Sequence, residues 1–207
     1  GLVNDGNGGN NYSYTYAPVA TGTVTAKDLT GSGGTAQDKV YDADTAATLN
    51  LGSAAFVGVI GGDTVNIDTS SASGTFSDKN VGTGKTVTVS GIGKTGADAG
   101  NYTITQPTTS ANITARPLTV TAATDTKVYD GNTSSSGVPT LTSGALQGSD
   151  TVTWTQVFDD KNVGTNKTLT PAGLVNDGNG GNNSSYTYTP VATGTVTAKD
   201  LTVSGVT

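Results

Sequence analysis

The chain has 207 residues and a formal net charge of -6, and it contains no Cys, no His and no Met. It also lacks Glu, so all 16 acidic residues are Asp. These absences exclude an imidazole base, a thiol nucleophile, a disulfide framework and a Cys/His zinc site. Threonine is the most frequent residue and Gly occurs 30 times, a composition typical of short strands joined by tight turns.

The sparse basic residues limit the partners that we expect. Ten Lys and Arg are scattered along the chain and form no basic stripe that would neutralise phosphates, so we expect no nucleic-acid partner. No apolar run approaches the roughly 20 residues needed to span a bilayer, so we expect no membrane insertion. The first residues lack the features of a signal peptide, and we interpret the chain as part of a longer protein.

A long internal repeat is the strongest signal in the sequence. Residues 1–30 recur as residues 173–202, and the two copies differ at only two positions, Tyr12/Ser184 and Ala17/Thr189. A shorter period of about 83 to 88 residues lies inside the long one, since three motifs return in the same order: 39–42 at 127–130, 78–83 at 160–165, and 113–119 at 196–202. A fixed period of this kind indicates a repeat architecture.

Taken in chain order, the shorter period predicts four parts. Residues 1–26 are the end of a preceding repeat, 27–116 the first complete repeat, 117–199 the second, and 200–207 the opening strand of a following repeat. A lone tail of two or three strands is marginal in water. We therefore expect residues 1–26 to be ordered only when they pair with another segment, such as 201–207 of a neighbouring chain or of the same polypeptide.

Period-2 alternation predicts short strands throughout both repeats. In the first repeat they are Leu29–Gly31, Lys39–Tyr41, Ala47–Leu51, Thr64–Asp68, Gly74–Phe76, Lys85–Ser90, Tyr102–Gln106 and Ala111–Ala115. In the second they are Leu118–Ala122, Thr126–Tyr129, Thr140–Thr142, Thr151–Val157, Lys167–Thr170, Ser185–Thr189 and Thr193–Ala198. This pattern predicts an all-β fold of tandem immunoglobulin-like β-sandwich repeats, with β-grasp-like repeats as the alternative.

The predicted link between the repeats is short. Residues 115–118 read Ala-Arg-Pro-Leu and contain no Gly or Ser run. Pro117 fixes its own φ and biases Arg116 towards an extended conformation. We therefore expect an elongated, semi-rigid rod rather than beads on a flexible string.

Two recurring motifs have the composition of turns. An Asp side chain accepts from the amide two residues on, and Gly supplies a positive φ, which predicts turns at Tyr41 and Asp42 and at Tyr129, Asp130 and Gly131. Because Ala43 replaces the Gly in the first turn, we expect that turn to change type or to keep φ negative. Strand connections are predicted at the other motif, which contains Asn80 and Gly82, then Asn162 and Gly164.

Three further features suggest ligands but have a simpler structural interpretation. The Asp-Gly-Asn-Gly-Gly-Asn-Asn segments at 5–11 and 177–183 resemble calcium loops, yet one Asp each is few for calcium, and a hairpin turn is favoured. Calcium at the repeat junctions, bound by Asp28 or Asp200, remains an alternative. Tyr12, Tyr14 and Tyr16 alternate along a predicted strand and, with Trp154, could contact glycans, although packing is favoured. We predict no cofactor and no catalytic residues.

The ordered set of motifs resembles a known family. The segment 127–133 (KVYDGNT), followed by 160–164 (DKNVG) and a Tyr-Thr-Tyr strand, resembles the YDG-type and related MBG-type repeats of large bacterial surface adhesins of the filamentous, haemagglutinin-like kind. The first repeat is similar through 61–65, 81–85 and 96–104. The resemblance covers essentially the whole chain, and it implies a secreted array on a bacterial surface without enzymatic activity.

These observations lead to two functional hypotheses. The first is a structural spacer of an extracellular adhesin or surface fibre, whose partners are neighbouring repeats or copies of itself, joined head to tail by strand pairing. The alternative is an adhesive module that binds host or matrix glycans or depends on calcium. An enzyme is not expected, because an elongated repeat lacks the deep apolar pocket that active sites prefer.

Overall fold

The computed structural model describes residues 1–205 and shows the predicted all-β fold of tandem repeats. The strands of the first repeat are β1 Lys27–Ser32, β2 Thr35–Ala36, β3 Lys39–Val40, β4 Ala46–Ala47, β5 Leu49–Asn50, β6 Ala55–Val57, β7 Asn66–Asp68, β8 Ser73–Phe76, β9 Gly82–Ser90, β10 Gly93–Thr95, β11 Tyr102–Thr105 and β12 Thr108–Thr114. One 3-10 turn, Ala99–Asn101, precedes β11.

The second repeat uses fewer strands. They are β13 Arg116–Thr121, β14 Thr126–Val128, β15 Thr140–Ser143, β16 Thr155–Phe158, β17 Gly164–Ala172, β18 Ser184–Thr189 and β19 Val191–Thr197. The strand predicted over Thr151–Val157 begins only at Thr155, because Thr151 makes an isolated bridge to Asn176 instead. Across residues 1–205, no helix is long and apolar enough to cross a membrane.

Both repeats share one arrangement of paired strands. In the first, the main sheet has the order β3-β12-β9-β8-β4, and a smaller sheet has the order β11-β1-β6. In the second, the corresponding sheets are β14-β19-β17-β16 and β18-β13-β15. In the first repeat β1 pairs in parallel with β11, and β3 pairs in parallel with β12. In the second repeat β13 pairs in the same way with β18, and β14 with β19. The shared topology confirms that the weak sequence period corresponds to a structural repeat.

Each repeat has its own apolar core. Alternate residues of the long strands are buried, as the period-2 pattern predicts. The first core contains Tyr41, Phe76, Val87, Ala111 and Ile113, and the second contains Ala122, Phe158, Leu169 and Val196. Burying one Phe, Leu or Val side chain contributes roughly 1.5–3 kcal/mol, so each repeat stabilises itself with a small set of residues.

Residues 1–26 carry no strand, although residues 184–197, their near-identical counterparts, form β18 and β19. The prediction that Tyr12, Tyr14 and Tyr16 lie on a strand is therefore wrong for this chain by itself. The physical reason is that residues 1–26 find no strand edge to pair with, because β18 and β19 already pair with β13, β14 and β17. Residues 200–205 also carry no strand, and residues 206 and 207, which belong to the predicted opening strand, lie outside the described residues.

Candidate functional site at the repeat junction

A lysine organises each Tyr-Asp turn. The Nζ atom of Lys39 donates to Asp42 Oδ1 at 2.7 Å and to the carbonyl oxygens of Asp44 and Ala46 at 2.8 and 3.0 Å. The same Nζ lies 5.5 Å from the ring centroid of Phe76. Lys127 repeats this arrangement with Asp130, Asn132 and Phe158. Sequence reasoning missed the lysine, although its return two residues before both tyrosines was visible.

The Tyr-Asp turn places its third residue in the left-handed region in both repeats. Ala43 has a φ of 65° and Gly131 a φ of 84°, so the first turn keeps the conformation that we expected it to avoid. The carboxylate of Asp42 accepts from the amide of Asp44 at 3.0 Å and binds Lys39, and these contacts impose the turn on Ala43. Burial raises the pKa of Asp42, but the Lys39 bond and the amide bond together hold it below its usual value.

The second motif forms the neighbouring loop. Asp78 accepts from the amide of Asn80 at 2.8 Å and from Lys85 Nζ at 2.7 Å. β9 begins at Gly82, directly after Val81, which packs against the first core. Asp160, Asn162, Lys167 and Gly164 occupy the equivalent places in the second repeat. The side chain of Asn80 takes no part in these contacts.

The Asp-Gly-Asn-Gly-Gly-Asn-Asn segment is an ordered loop. Asp177 is buried, and its carboxylate accepts from the amides of Asn179, Gly181 and Asn183 at 2.7, 2.9 and 2.9 Å. Burial raises the pKa of Asp177, but the three amide bonds outweigh it and hold the pKa below its usual value. One carboxylate thus fixes the whole loop, which we call the Asn loop (residues 177–183; the equivalent first copy is residues 5–11).

Asn183 joins the two repeats. Its side chain is fully buried, and Oδ1 accepts from the amide of Val81 at 2.9 Å, while Nδ2 donates to Asn80 Oδ1 at 3.1 Å. Its carbonyl oxygen accepts from the amide of Arg116 at 3.0 Å. Val81 and Asn80 belong to the first repeat, so one amide side chain of the second repeat fills the space beside the turn motifs of the first. No buried side-chain nitrogen or oxygen within residues 1–205 lacks a hydrogen-bond partner.

Further contacts close the junction around Tyr41. This side chain is only 1% exposed, and its hydroxyl donates to Asp150 Oδ1 of the second repeat at 3.3 Å. Arg116 Nε donates to the carbonyl oxygen of Tyr41 at 2.7 Å. Burial raises the pKa of Tyr41, with Lys79 opposing and Asp150 adding to the increase. Gly148 lies so close to Ala43 that an added Cβ would stand 2.9 Å from the Ala43 methyl group.

The comparison with known families matches the same two stretches that the junction separates. The family model of the YDG domain matches residues 25–111 and residues 114–196. The chain belongs to the YDG domain family. No curated protein and no solved structure matches the chain significantly.

The Tyr and Asp of the YDG motif have separate tasks in this chain. The Asp holds the turn through the preceding Lys, whereas Tyr41 lies between its own core and the next repeat. Asn80, which sequence reasoning placed in a simple strand connection, reaches across the junction to Asn183. Tyr41, Asn80 and Val81 of the first repeat therefore form a surface that we call the receptor face. The Asn loop of the next repeat packs on this face.

The aromatic residues that we considered for glycan contact fall into two groups. Tyr14 and Tyr16 stack with ring centroids 6.4 Å apart, and Tyr14 Oη accepts from the amide of Val3 at 2.9 Å. Trp154 meets Tyr186 edge-on at 6.3 Å, and Tyr186 stacks on Tyr188 at 5.9 Å. Tyr186 Oη accepts from the amide of Val175 at 2.9 Å, which repeats the Tyr14 contact. Tyr14 thus anchors the chain that leads into the first Asn loop, and Tyr186 does so for the second.

Three of the four carboxylates considered for calcium, those of Asp5, Asp28 and Asp177, already have protein partners. Asp5 accepts from the amides of Asn7, Gly9 and Asn11, in the same pattern as Asp177. Asp28 accepts from the hydroxyls of Thr103 and Thr105, which lower its pKa. Asp200 is exposed and lies outside any strand. Within residues 1–205, no three Asp side chains come together as a metal-binding group.

Proposed function

We propose that the chain is a structural spacer of an extracellular bacterial adhesin or surface fibre, in which YDG repeats stack end to end. The observation that carries this proposal is Asn183, a fully buried side-chain amide that bonds Val81 and Asn80 of the first repeat and Asn179 of its own repeat. A buried polar group that loses a partner costs about 1–3 kcal/mol, so rotation of one repeat against the other is unfavourable. Such a junction supports extension rather than flexibility.

The link between the repeats supports the same proposal. Arg116 is the first residue of β13 and also bonds Asn183 and Tyr41, so only Ala115 separates β13 from the last strand of the first repeat, β12. If the strands run along the long axis, each repeat adds roughly 35–45 Å at about 3.4 Å per residue. The exposed Thr-rich faces favour solubility in a dense array. We propose no catalytic role and no resident cofactor for this chain.

Small-angle X-ray scattering tests the proposed extension. A compact chain of this length has a radius of gyration of about 17 Å. Two repeats in a row predict a clearly larger radius and a distance distribution with a long tail, whereas a radius near the compact value would contradict the spacer. The proposed location has its own test, since an antibody against the chain should label intact cells of the bacterium that produces it, without permeabilisation.

A glycan-binding module is the second candidate, and the aromatic row of the second repeat favours it. The half-buried rings of Trp154, Tyr186 and Tyr188 form a row, in which each ring contacts the next. Sugars stack on such aromatic surfaces. Binding to a glycan array that Trp154→Ala abolishes and Tyr12→Ser leaves unchanged would support this role. Tyr12→Ser is the matched control, because the second copy of the segment has Ser184 at that position. A calcium-dependent module would instead show a melting temperature that rises with calcium.

A further inference from the structure

Both halves of the repeat junction occur a second time in this chain, and neither has a partner among residues 1–205. The first Asn loop, residues 5–11, has the same carboxylate bonds as residues 177–183, so it is preformed before it contacts another repeat. Its last residue, Asn11, is exposed, whereas the equivalent Asn183 is fully buried. The side chain that joins the repeats is therefore presented to solvent at the first loop.

The second repeat presents an empty copy of the receptor face. Tyr129, Asn162 and Val163 correspond to Tyr41, Asn80 and Val81, and they line an open hollow together with Ala198, Lys199 and Leu201. Val163 is 56% exposed, and Tyr129 is half-buried where Tyr41 is almost completely covered. The lysine, the carboxylate turn and the Asn are all in place on this face.

The segments equivalent to the two strands that flank the junction are unpaired at both of these places. β13 at 116–121 pairs in parallel with β18 at 184–189, and the pairing starts opposite the end of the Asn loop. Residues 199–204 and 12–17 are their sequence equivalents, and neither segment is in a strand. Leu201 and Val203 are 86% and 80% exposed, and Tyr16 is 73% exposed. These apolar side chains are the ones that strand pairing would cover.

We propose that residues 5–17 of one copy of the chain dock on the receptor face of the second repeat of another copy. The inference rests on the end-to-end stacking proposed above, and it adds the residues and the register. The side chain of Asn11 accepts from the amide of Val163 and donates to Asn162. Residues 199–204 add as a parallel strand, with Lys199 opposite Tyr12, Leu201 opposite Tyr14 and Val203 opposite Tyr16.

The sequence of residues 5–17 identifies them as the segment that occupies the receptor face. Residues 1–30 differ from 173–202 at two positions only, and neither lies within the Asn loop. The segment therefore carries every group that residues 177–183 use at the junction between the repeats. Because the loop and the receptor face are different surfaces, the contact is head to tail and does not close into a symmetric dimer. Chains of increasing length result as the concentration rises.

Sedimentation of the intact chain and two variants tests this contact. The weight-average mass of the unmodified chain should rise with concentration, while Asn11→Ala and Asn162→Ala should each lower the association constant at least tenfold. An equimolar mixture of the two variants should form dimers and nothing longer, because one loop and one receptor face remain intact. Asn10→Ala is the matched control, since its side chain bonds only the carbonyl of Asn7 within the loop, and its association should be unchanged.

Two outcomes would overturn the proposal. One is an unmodified chain that stays monomeric at every concentration. The other is association that survives Asn162→Ala but is lost with Asn80→Ala, which would show that residues 1–26 of one copy replace residues 173–198 of another inside the existing junction. Either result leaves the spacer role untouched, because that role is measured on the two repeats within a single chain.

Discussion

A single buried carboxylate fixes the loop that links the repeats. Asp177 bonds three backbone amides, and Asp5 makes the same bonds in a loop whose Asn7 and Asn11 are exposed. The local sequence therefore determines the loop conformation. Tertiary contacts determine only how much these hydrogen bonds contribute to the free energy of unfolding. Comparing the two residues separates these effects within one molecule.

Asp177→Ala should lower the free energy of unfolding of the second repeat by about 3 kcal/mol, because it leaves buried amides without an acceptor. Asp5→Ala is the matched control and should have a smaller effect, since two of its three amides belong to the exposed residues Asn7 and Asn11. Urea titrations followed by the fluorescence of Trp154, the only tryptophan, report on the second repeat directly. Equal losses for both variants would contradict the role given to burial.

Asp177 also predicts a dependence on pH. Its folded pKa lies below the ordinary value of 3.8, so its contribution to stability is complete above that value and is lost as the pH falls through the folded pKa. Other carboxylates held by Lys, such as Asp78 and Asp160, act in the same direction. Urea titrations from about pH 6 to about pH 2.5 should show a shallower decline for Asp177→Ala than for the unmodified chain. Parallel declines would refute this assignment.

The left-handed residue of the Tyr-Asp turn gives a reciprocal test. Gly131→Ala should destabilise the second repeat by about 1 kcal/mol, the cost of a left-handed Ala, since an added Cβ there meets nothing within 4 Å. Ala43→Gly should relieve strain in the first repeat and change its stability in the opposite direction. Melting curves of both variants measure the two effects. A change of the same sign in both would argue against backbone strain as the cause.

At the scale of elements, sequence patterns predicted the long strands well and the short ones poorly. β9 and β12 alternate buried and exposed residues over several positions, which the period-2 pattern detects. β2 and β10 are two and three residues long, and pairing rather than propensity creates them. The parallel pairing of β13 with β18 joins segments far apart in the sequence, so no local pattern predicts it.

The receptor face was predictable only in part. The motifs containing Tyr41 and Asn80 were identified from their recurrence, and they were interpreted as turns. Their second task depends on contacts with Asn183 and Asp150, which lie more than 100 residues further along the chain. A repeat that stacks on its neighbour has the same sequence period as one that does not. The sequence therefore identified the residues but not the contact.

Asn183→Ala should uncouple the two repeats. It removes the acceptor of the Val81 amide and the donor to Asn80 in the first repeat, and the acceptor of the Asn179 side chain in the second, and so weakens an element of each repeat at once. Calorimetry should show a melting temperature lower by several degrees and a wider separation between the transitions of the repeats. Asn182→Ala is the control, because its exposed side chain bonds only the carbonyl of Asn179. Identical melting of the two variants would remove Asn183 from this role.

At the scale of the whole molecule, the two YDG repeats meet at one junction. Each has its own core, and Asn183, Tyr41 and Arg116 join them without a free linker. A second Asn loop lies near the start of the described residues and a second receptor face near their end, which is the property that an extendable array requires. Function on this account depends on the fixed geometry between repeats rather than on a cleft.

The distance between the repeats is the most direct measurement of this account. Because the chain has no Cys, spin labels at Thr75→Cys and Thr170→Cys, two exposed positions in different repeats, attach nowhere else. Pulsed dipolar spectroscopy should give one narrow distance distribution in the otherwise unmodified chain and a broad one after Asn183→Ala. A broad distribution before that substitution, or an unchanged narrow one after it, would contradict the rigid junction.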